Sequence, residues 1–135
     1  MKGLAIATLL ACIIITLSCA EAKPIYISAH ALYYAYADNE INADQLYKSK
    51  KLQVEGKVAL IGKLDDTAYI MLYADSGLGG IQCNFSKKYE SQIAKVKIDE
   101  TVIILGTCKG FVGRVIILNI TVAKHVVLEN CQIAE

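Results

Sequence analysis

The sequence predicts a mainly β domain with N-terminal helices, in which five strands close into a small barrel and one helix lies between the third and fourth strands. Three observations lead to this prediction. Apolar and polar residues alternate through "KLQVEGKVALIG" at residues 51–62, as they do in a half-buried strand. The turn-like segments "KLDDT" and "DSGLGG" separate further apolar stretches. Helical spacing then replaces the alternation in "KKYESQIAKV".

Residues 20–49 are expected to form a helical segment that packs on the barrel. Helical spacing in "ISAHALYYAY" gives one apolar face, and Ser28 stands where an N-cap residue is expected. The segment "NEINADQLYKSK" follows as a shorter helical or irregular piece. The tyrosines of the first helix are expected to serve packing; they are Tyr33, Tyr34 and Tyr36.

The first strand is predicted to bend or bulge at Gly56. Its alternation places a set of residues on one face, namely Leu52, Val54, Gly56, Val58 and Leu60. Three more strands are predicted at "AYIMLYA", "GIQCNFS" and "ETVIILGTC", and the glycine-flanked loop "KGFVGR" follows the last of them. The fifth strand lies within "VIILNITVAKHVVLENCQI" and is either long and bent or broken near Ala123.

A three-stranded meander, a helix and two further strands form the element order of an oligonucleotide/oligosaccharide-binding (OB) barrel. We assign residues 50–133 to this barrel. A helix between the third and fourth strands would plug one end of it. A generic α+β sheet packed on helices is the alternative architecture.

Residues 1–19 have the layout of a secretory signal peptide of the lipoprotein type. Lys2 precedes an apolar run that is shorter than the roughly 20 residues needed to span a bilayer. Three ways of processing are open: lipid attachment at Cys19 within "TLSC", lipid attachment at Cys12 within "LLAC", and ordinary cleavage after Ala20 or Ala22. The first is favoured, because attachment at Cys12 would leave the apolar run "IIITL" on the mature protein.

Lipid attachment at Cys19 would anchor the domain to a membrane of the cell envelope, facing the periplasm. Cleavage after Ala20 would instead release a secreted protein. The chain has 14 Lys and Arg against 13 Asp and Glu, and removal of Lys2 with the signal peptide makes these counts equal. A neutral domain without a basic stripe lacks the usual features of a nucleic-acid partner.

Several stretches resemble a family of bacterial OB-fold lipoproteins whose domain is similar to the tRNA anticodon-binding OB fold. The resemblance rests on "NEINAD", "VEGKV", the "IQC" strand, "GTCKGFVG" and "VVLENC". It covers about Ile27 to Ile133, but the segment "VIILNITVAKH" stands where the family continues almost directly into its last strand. The resemblance implies nucleic-acid binding only by fold analogy, because OB folds host many kinds of ligand.

Three cysteines remain after the signal peptide, and all fall in predicted strands: Cys83, Cys108 and Cys131. No C-x-x-C pair is present, so the spacing of a metal site is missing. A nucleophilic role would need a general base, and neither His30 nor His125 comes with an evident third group. Cys83 shares the core-facing parity of its strand and is expected to act as a small apolar residue. An oxidising compartment would permit a disulfide between Cys108 and Cys131, as an alternative to two free thiols.

An OB barrel usually binds its ligand on the outer face of its second and third strands and on the loops beside that face. If Ile70 and Leu72 point inward, alternate residues of these strands point outward. The predicted ligand-binding residues are therefore Tyr69, Met71, Tyr73, Gln82 and Asn84, with Lys109, Phe111 and Arg114 from one bordering loop and Lys63, Asp65 and Asp66 from the other. Tyr69 and Tyr73 could stack on bases or sugars; packing under the N-terminal helices is the alternative use.

These observations favour a noncatalytic OB-fold binding module of the bacterial cell envelope, with an unknown ligand or protein partner on the barrel face. A single-stranded nucleic-acid-binding protein is the alternative, and the neutral charge disfavours it. An enzyme is not expected, because the sequence offers no paired acid and base, no Ser/His/Asp grouping and no Walker loop. We expect neither a metal nor a cofactor.

Overall fold

The computed structural model of the chain describes residues 22–74, 79–112, 116–117, 120–121 and 124–134. The N-terminal part consists of β1 (Ile25–Ser28), α1 (Ala29–Asp38) and α2 (Glu40–Tyr47). The strands β2 (Lys51–Leu64), β3 (Thr67–Tyr73) and β4 (Gly80–Phe85) follow, then a 3₁₀ turn (Lys87–Tyr89) that leads into α3 (Glu90–Ile93). The remaining strands are β5 (Thr101–Val112), β6 (Ile116–Ile117), β7 (Ile120–Thr121) and β8 (His125–Ile133).

Five strands form a closed barrel in the order β2, β3, β4, β8, β5 and back to β2. The β4–β8 pair is parallel, and the other four pairs are antiparallel. The first half of β2 pairs with β5 and its second half with β3, so this long strand closes the ring. The predicted OB-type barrel with a helix between its third and fourth strands is confirmed.

Alternation along the strands separates a sealed interior from an outer surface. The side chains of Ile70, Leu72, Ile81, Cys83 and Leu128 are fully buried and fill the barrel. The inward parity predicted for Ile70 and Leu72, and the role of Cys83 as a core residue, agree with this interior. Cooperative burial of these residues holds the barrel together, since each contributes about 1.5 to 3 kcal/mol when removed from water.

One detail of the first strand was predicted wrongly. The register shift of β2 lies between Val58 and Leu60, not at Gly56. Beyond this bulge the parity reverses, and Leu60 lies on the outer surface with half of its side chain exposed, opposite Met71. Gly56 has a different function, because α1 passes directly over it: a Cβ atom there would lie 2.8 Å from the Cβ of Ala29.

Each end of the barrel is covered by a helix. Ser28 is the N-cap residue of α1, and its hydroxyl accepts a hydrogen bond from the Ala31 amide, as expected. It buries Leu32 and Tyr36 against the barrel and touches β2, β3, β4 and β8. α3 covers the opposite end, where Ile93 is buried. No helix in the described part of the chain has the length and apolar character needed to cross a bilayer.

The inserted segment before the last strand does not extend the barrel. β6 and β7 pair with each other in a separate two-stranded sheet, and the fifth barrel strand begins only at His125. Of the two alternatives for this region, the interrupted strand is therefore the correct one. Ala123 itself lies outside the described residues.

Of the two alternatives for Cys108 and Cys131, the structure has the free thiols, and all three described cysteines are buried. Cys108 pairs across β5 and β8 with Leu128, whereas Cys131 lies near Gly106. The Cys131 sulfur fills the space above this glycine, at 2.6 Å from the position of an added Cβ. The partner of Cys108 thus lies three residues before Cys131 on β8, so the two cysteines do not face each other as a disulfide would require.

Candidate binding face

The outer surface of β3 and β4 forms one continuous face, which we call the β3–β4 face. It is formed by Tyr69, Met71, Tyr73, Gln82 and Asn84. Tyr69 pairs with Asn84 and Met71 with Gln82, so the five predicted residues on these strands lie side by side. Tyr73 is 44% exposed, while the alternate residues Ile70 and Leu72 are completely buried. The face therefore presents aromatic and apolar groups that the barrel interior does not use.

The ring of Tyr69 is positioned by a glycine on the neighbouring strand. Gly62 pairs with Tyr69, and an added Cβ on Gly62 would lie 2.9 Å from the tyrosine hydroxyl and 3.2 Å from the ring atom Cε1. The aromatic side chain thus lies across β2 in the space that a larger residue would occupy. This contact half-buries Tyr69 and holds its ring close to the sheet surface.

A row of hydrogen-bonded polar groups borders the aromatic residues. The Gln82 amide Nε2 donates to Asn84 Oδ1 at 3.0 Å, and Asn84 Nδ2 donates to Glu129 Oε1 of β8 at 3.0 Å. Each donor and acceptor in this chain fixes the orientation of the next. Such a preoriented amide row can donate and accept hydrogen bonds beside the tyrosine rings, and a few fixed polar groups among apolar ones are typical of ligand sites.

Two residues that the sequence analysis did not assign to the face belong beside it. Leu60 lies next to Met71 because of the β2 bulge, and Glu129 reaches Asn84 because of a second irregularity in β8. Asn130 adopts a left-handed conformation with φ of 53°, which separates outward Glu129 from inward Cys131 although the two share parity. An asparagine in a strand is a weak signal for such a break, since asparagine tolerates positive φ better than most residues.

The loop between β2 and β3 contributes less to this face than predicted. Lys63 forms a salt bridge with Glu90 at the start of α3, and the two line a cleft of about 300 Å³ at that end of the barrel. Through this pair the pKa of Lys63 is raised and the pKa of Glu90 is lowered. Asp65 and Asp66 are exposed in the turn, both at positive φ. The predicted cation of this loop is thus engaged with the protein itself.

The loop after β5 also differs from the prediction. Phe111 does not border the β3–β4 face; its ring packs against Tyr36 and Tyr33 of α1, with centroid distances of 5.1 and 5.8 Å. Lys109 is exposed on β5, and β8 separates it from β4. Arg114 lies outside the described residues. The structure therefore brings together the five residues from β3 and β4 but not Lys109 or Phe111.

The thiols have the properties of core residues. Burial and the neighbouring Cys131 raise the pKa of Cys83 well above its ordinary value. Burial likewise raises the pKa of Cys108, whose sulfur lies 3.4 Å from the Tyr36 hydroxyl. A protonated thiol is a poor nucleophile and a poor metal ligand. Within the described ranges, no group of three or more His, Cys, Asp or Glu side chains is placed to hold a metal ion.

The histidines lie near the α1 end of the barrel. His30 Nδ1 is 2.9 Å from the Ala74 carbonyl oxygen, so it links α1 to the end of β3. His125, at the start of β8, is half-buried, and burial lowers its pKa. Neither histidine is among the five residues of the β3–β4 face, although His125 pairs with Gly80, which in turn pairs with Tyr73.

Comparison with known proteins agrees with this architecture. The sequence model of the tRNA_anti-like family matches residues 13–122. The crystal structure of a Klebsiella pneumoniae protein, provisionally named a nucleic acid-binding lipoprotein, superposes on this chain with a TM-score of 0.57 at 13% identity. The match covers 82% of this chain and 92% of the Klebsiella chain.

Two OBody proteins bound to hen egg-white lysozyme superpose less well. Their TM-scores are 0.44 and 0.43 at 14% and 13% identity, and each match covers 67% of this chain. The matches cover 80% and 86% of the respective OBody chains. None of the curated proteins compared with the chain matches it. Because the family match spans well over half of the sequence, the chain belongs to the tRNA_anti-like family.

Proposed function

We propose that the protein is a noncatalytic binding module of the bacterial cell envelope, and that its ligand occupies the β3–β4 face. One observation carries this proposal: Tyr73 and Leu60 remain about half exposed on a rigid sheet whose inner residues are fully sealed. Exposed apolar groups clustered on one surface are typical of binding sites. The hydrogen-bonded amides of Gln82 and Asn84 add directional contacts beside them.

We further propose the division of the chain into a signal peptide at residues 1–19, an N-terminal helical segment at 20–49 and the barrel at 50–133. In this proposal Cys19 carries the lipid and anchors the domain, facing the periplasm. The provisional name of the Klebsiella relative supports an envelope location. Intact mass spectrometry of protein extracted from bacterial membranes tests the anchor. Acyl chains on a mature protein that begins at Cys19 are expected, and an unmodified N-terminus after Ala20 would contradict it.

Photo-crosslinking tests the binding face. A photoreactive amino acid is placed at Tyr73 in one variant and at Ile98 in a matched control. These positions are 44% and 49% exposed, but Ile98 lies in the loop after α3, away from the face. Irradiation of intact cells is expected to give a discrete adduct from position 73 and none from position 98. Equal adducts from both positions, or none from either, would refute a specific ligand on this face.

A single-stranded nucleic acid is the second candidate ligand, supported by the family membership and by the name of the Klebsiella relative. Its charge requirement is poorly met, because the five residues of the face carry no formal charge. Nucleic-acid binders depend on Lys and Arg contacts to phosphates, and their affinity falls steeply with salt. A labelled single-stranded DNA titrated at several salt concentrations decides the matter. Binding tighter than micromolar with a steep salt slope would favour the second candidate.

A further inference from the structure

A cleft rich in lysine lies at the start of β2, where the residues before β1 meet residues 49–51. It has a volume of about 340 Å³ and is lined by Ala22, Lys23, Ile25, Ser49, Lys50 and Lys51. All three lysines are exposed. Lys48 and Lys109 are also exposed, and Lys48 forms a salt bridge with Asp44 at 3.8 Å. The cleft thus combines several cations with the apolar side chains of Ala22 and Ile25.

The backbone that carries these lysines is firmly held. The Ser49 amide donates to the Cys108 carbonyl at 2.8 Å, and the Cys108 amide donates to the Lys50 carbonyl at 3.0 Å. Lys51 then enters β2 and pairs with Thr107 of β5. On the other side, β1 pairs with β2 from Ile25 onward, which fixes the segment that includes Lys23. Lys51 therefore stands at the start of a paired strand, and Lys50 and Lys23 lie one and two residues before β2 and β1 respectively.

The position of the cleft in the sequence indicates what it faces. Only residues 20 and 21 separate Cys19 from Ala22, which lines the cleft. At about 3.3 to 3.6 Å per extended residue, the proposed lipid site lies within about 11 Å of Ala22 and about 14 Å of Lys23 along the chain. An acylated Cys19 would consequently hold this side of the barrel at the membrane surface.

We infer that this cleft is a docking surface for the phosphate groups of anionic phospholipids in the membrane that holds the anchor. The ammonium groups of Lys23, Lys50 and Lys51 supply the charge complementarity, and each lysine near an anionic bilayer strengthens binding about fivefold. The inference rests on the proposed lipid anchor at Cys19. Its consequence is an orientation of the domain, since the start of β2 would face the membrane and the β3–β4 face would lie further along that strand.

The arrangement of the strands supports this orientation. Lys51 pairs with Thr107, Thr107 pairs with Glu129, and Glu129 reaches Asn84 on the β3–β4 face. Around the ring β2 is the direct neighbour of β3, but β2 pairs with β3 only from Val58 onward, seven residues after Lys51. At about 3.3 Å per residue, roughly 23 Å of strand therefore separates Lys51 from the face along β2. A nucleic acid stacked on Tyr69 and Tyr73 would have to span this length to reach the same cations, whereas the proposed lipid site lies beside them in the sequence. The membrane is accordingly the partner that the geometry favours.

Lysine footprinting tests the inference with the mature protein as it is extracted from membranes. The protein is reconstituted into phosphatidylcholine vesicles, with or without phosphatidylglycerol, and is acetylated with an amine-reactive reagent. Protection of Lys23, Lys50 and Lys51 by about tenfold is expected only in the anionic vesicles. It should disappear at 1 M salt, where the screening length falls to about 3 Å. Equal reactivity in both kinds of vesicle would overturn the inference.

A pair of charge-matched variants separates the cleft from net charge. The test variant combines Lys23→Ala, Lys50→Ala and Lys51→Ala; the control combines Lys87→Ala, Lys95→Ala and Lys97→Ala, at the α3 end. Acetylation of Lys48 and Lys109 is the readout. The test variant is expected to lose their protection in anionic vesicles, and the control to keep it. Loss in both variants would show a general charge effect and contradict a specific surface.

Two further results distinguish this inference from the functions on which it depends. An intact mass without acyl chains would refute the lipid anchor, and sedimentation with anionic vesicles would then still show whether the lysine cleft binds them. Single-stranded DNA that protects the three lysines, where anionic vesicles do not, would assign the cations to nucleic acid and overturn the membrane inference. Neither result depends on crosslinking from Tyr73.

Discussion

The contact between α1 and β2 at Gly56 offers a direct test of how the helix covers the barrel. An alanine Cβ at this position would lie 2.8 Å from the Ala29 Cβ and 3.3 Å from two carbons of Leu72. Carbon atoms in proteins pack at about 3.5 to 4.0 Å, so Gly56→Ala requires a shift of at least about 0.7 Å. Overpacking of this kind costs about 1 to 3 kcal/mol, and replacing a strand glycine by alanine returns about 0.5 to 1 kcal/mol. The expected net loss of stability is about 1 kcal/mol, within a range of about 0 to 2.5 kcal/mol.

Urea unfolding of a double-mutant cycle measures this contact. Ala29→Gly removes the methyl group that Gly56→Ala would meet and by itself costs up to about 1 kcal/mol in helix propensity. If the clash is real, the double variant should be more stable than the sum of the two single effects predicts, by about 1 to 2 kcal/mol. Additive effects, within the usual margin of about 0.5 kcal/mol, would show that α1 does not lie against β2 at this point.

Three more substitutions test the core, a buried hydrogen bond and a buried histidine. Leu72→Ala should lose about 2 to 5 kcal/mol of unfolding free energy because its side chain is fully buried, whereas Tyr73→Ala should lose less than about 1 kcal/mol. Chemical denaturation compares the two variants, and equal losses would contradict the assignment of Leu72 to the interior and Tyr73 to the outer surface. Tyr36→Phe removes the buried hydroxyl beside the Cys108 sulfur and should lower the unfolding free energy by about 1 kcal/mol in the same assay. An unchanged denaturation midpoint would show that this contact contributes nothing to stability. Burial lowers the pKa of His125, so the unfolded chain binds the proton more readily, and stability should be full above pH of about 6.5 and decline as the pH falls below it. His125→Gln should remove this part of the decline in a pH series of unfolding curves, and an identical pH profile would contradict it.

The regular parts of the fold could be predicted because they follow from a two-residue period. Alternation in β3 and β4 distinguishes inward Leu72 and Cys83 from outward Met71 and Gln82 without knowledge of any partner strand. The order of strands around the helix was enough to predict the barrel. The five residues of the β3–β4 face were therefore correctly placed together from the sequence.

The irregular parts depend on contacts between distant segments. Leu60 appears to continue the inward row of β2 in the sequence, but the bulge beyond Val58 turns it outward. Only four residues form β1, and its parallel pairing with β2 is a contact that local periodicity does not contain. Phe111 was placed beside the ligand from its loop position, yet the rings of α1 cover it. A one-residue bulge or a distant helix reverses such assignments without a clear mark in the local sequence.

The most direct test of the binding face combines crosslinking with removal of its aromatic rings. A photoreactive residue replaces Met71, which lies between Tyr69 and Tyr73, and the adduct formed in cells is compared with and without the changes Tyr69→Ala and Tyr73→Ala. The rings are expected to hold the ligand, so the double variant should lose the adduct while its unfolding free energy falls by no more than about 1 to 2 kcal/mol, including the contact of Tyr69 with Gly62. A folded double variant that still forms the adduct in full would contradict the proposed ligand site, and a variant that fails to fold would place the two tyrosines among the core residues.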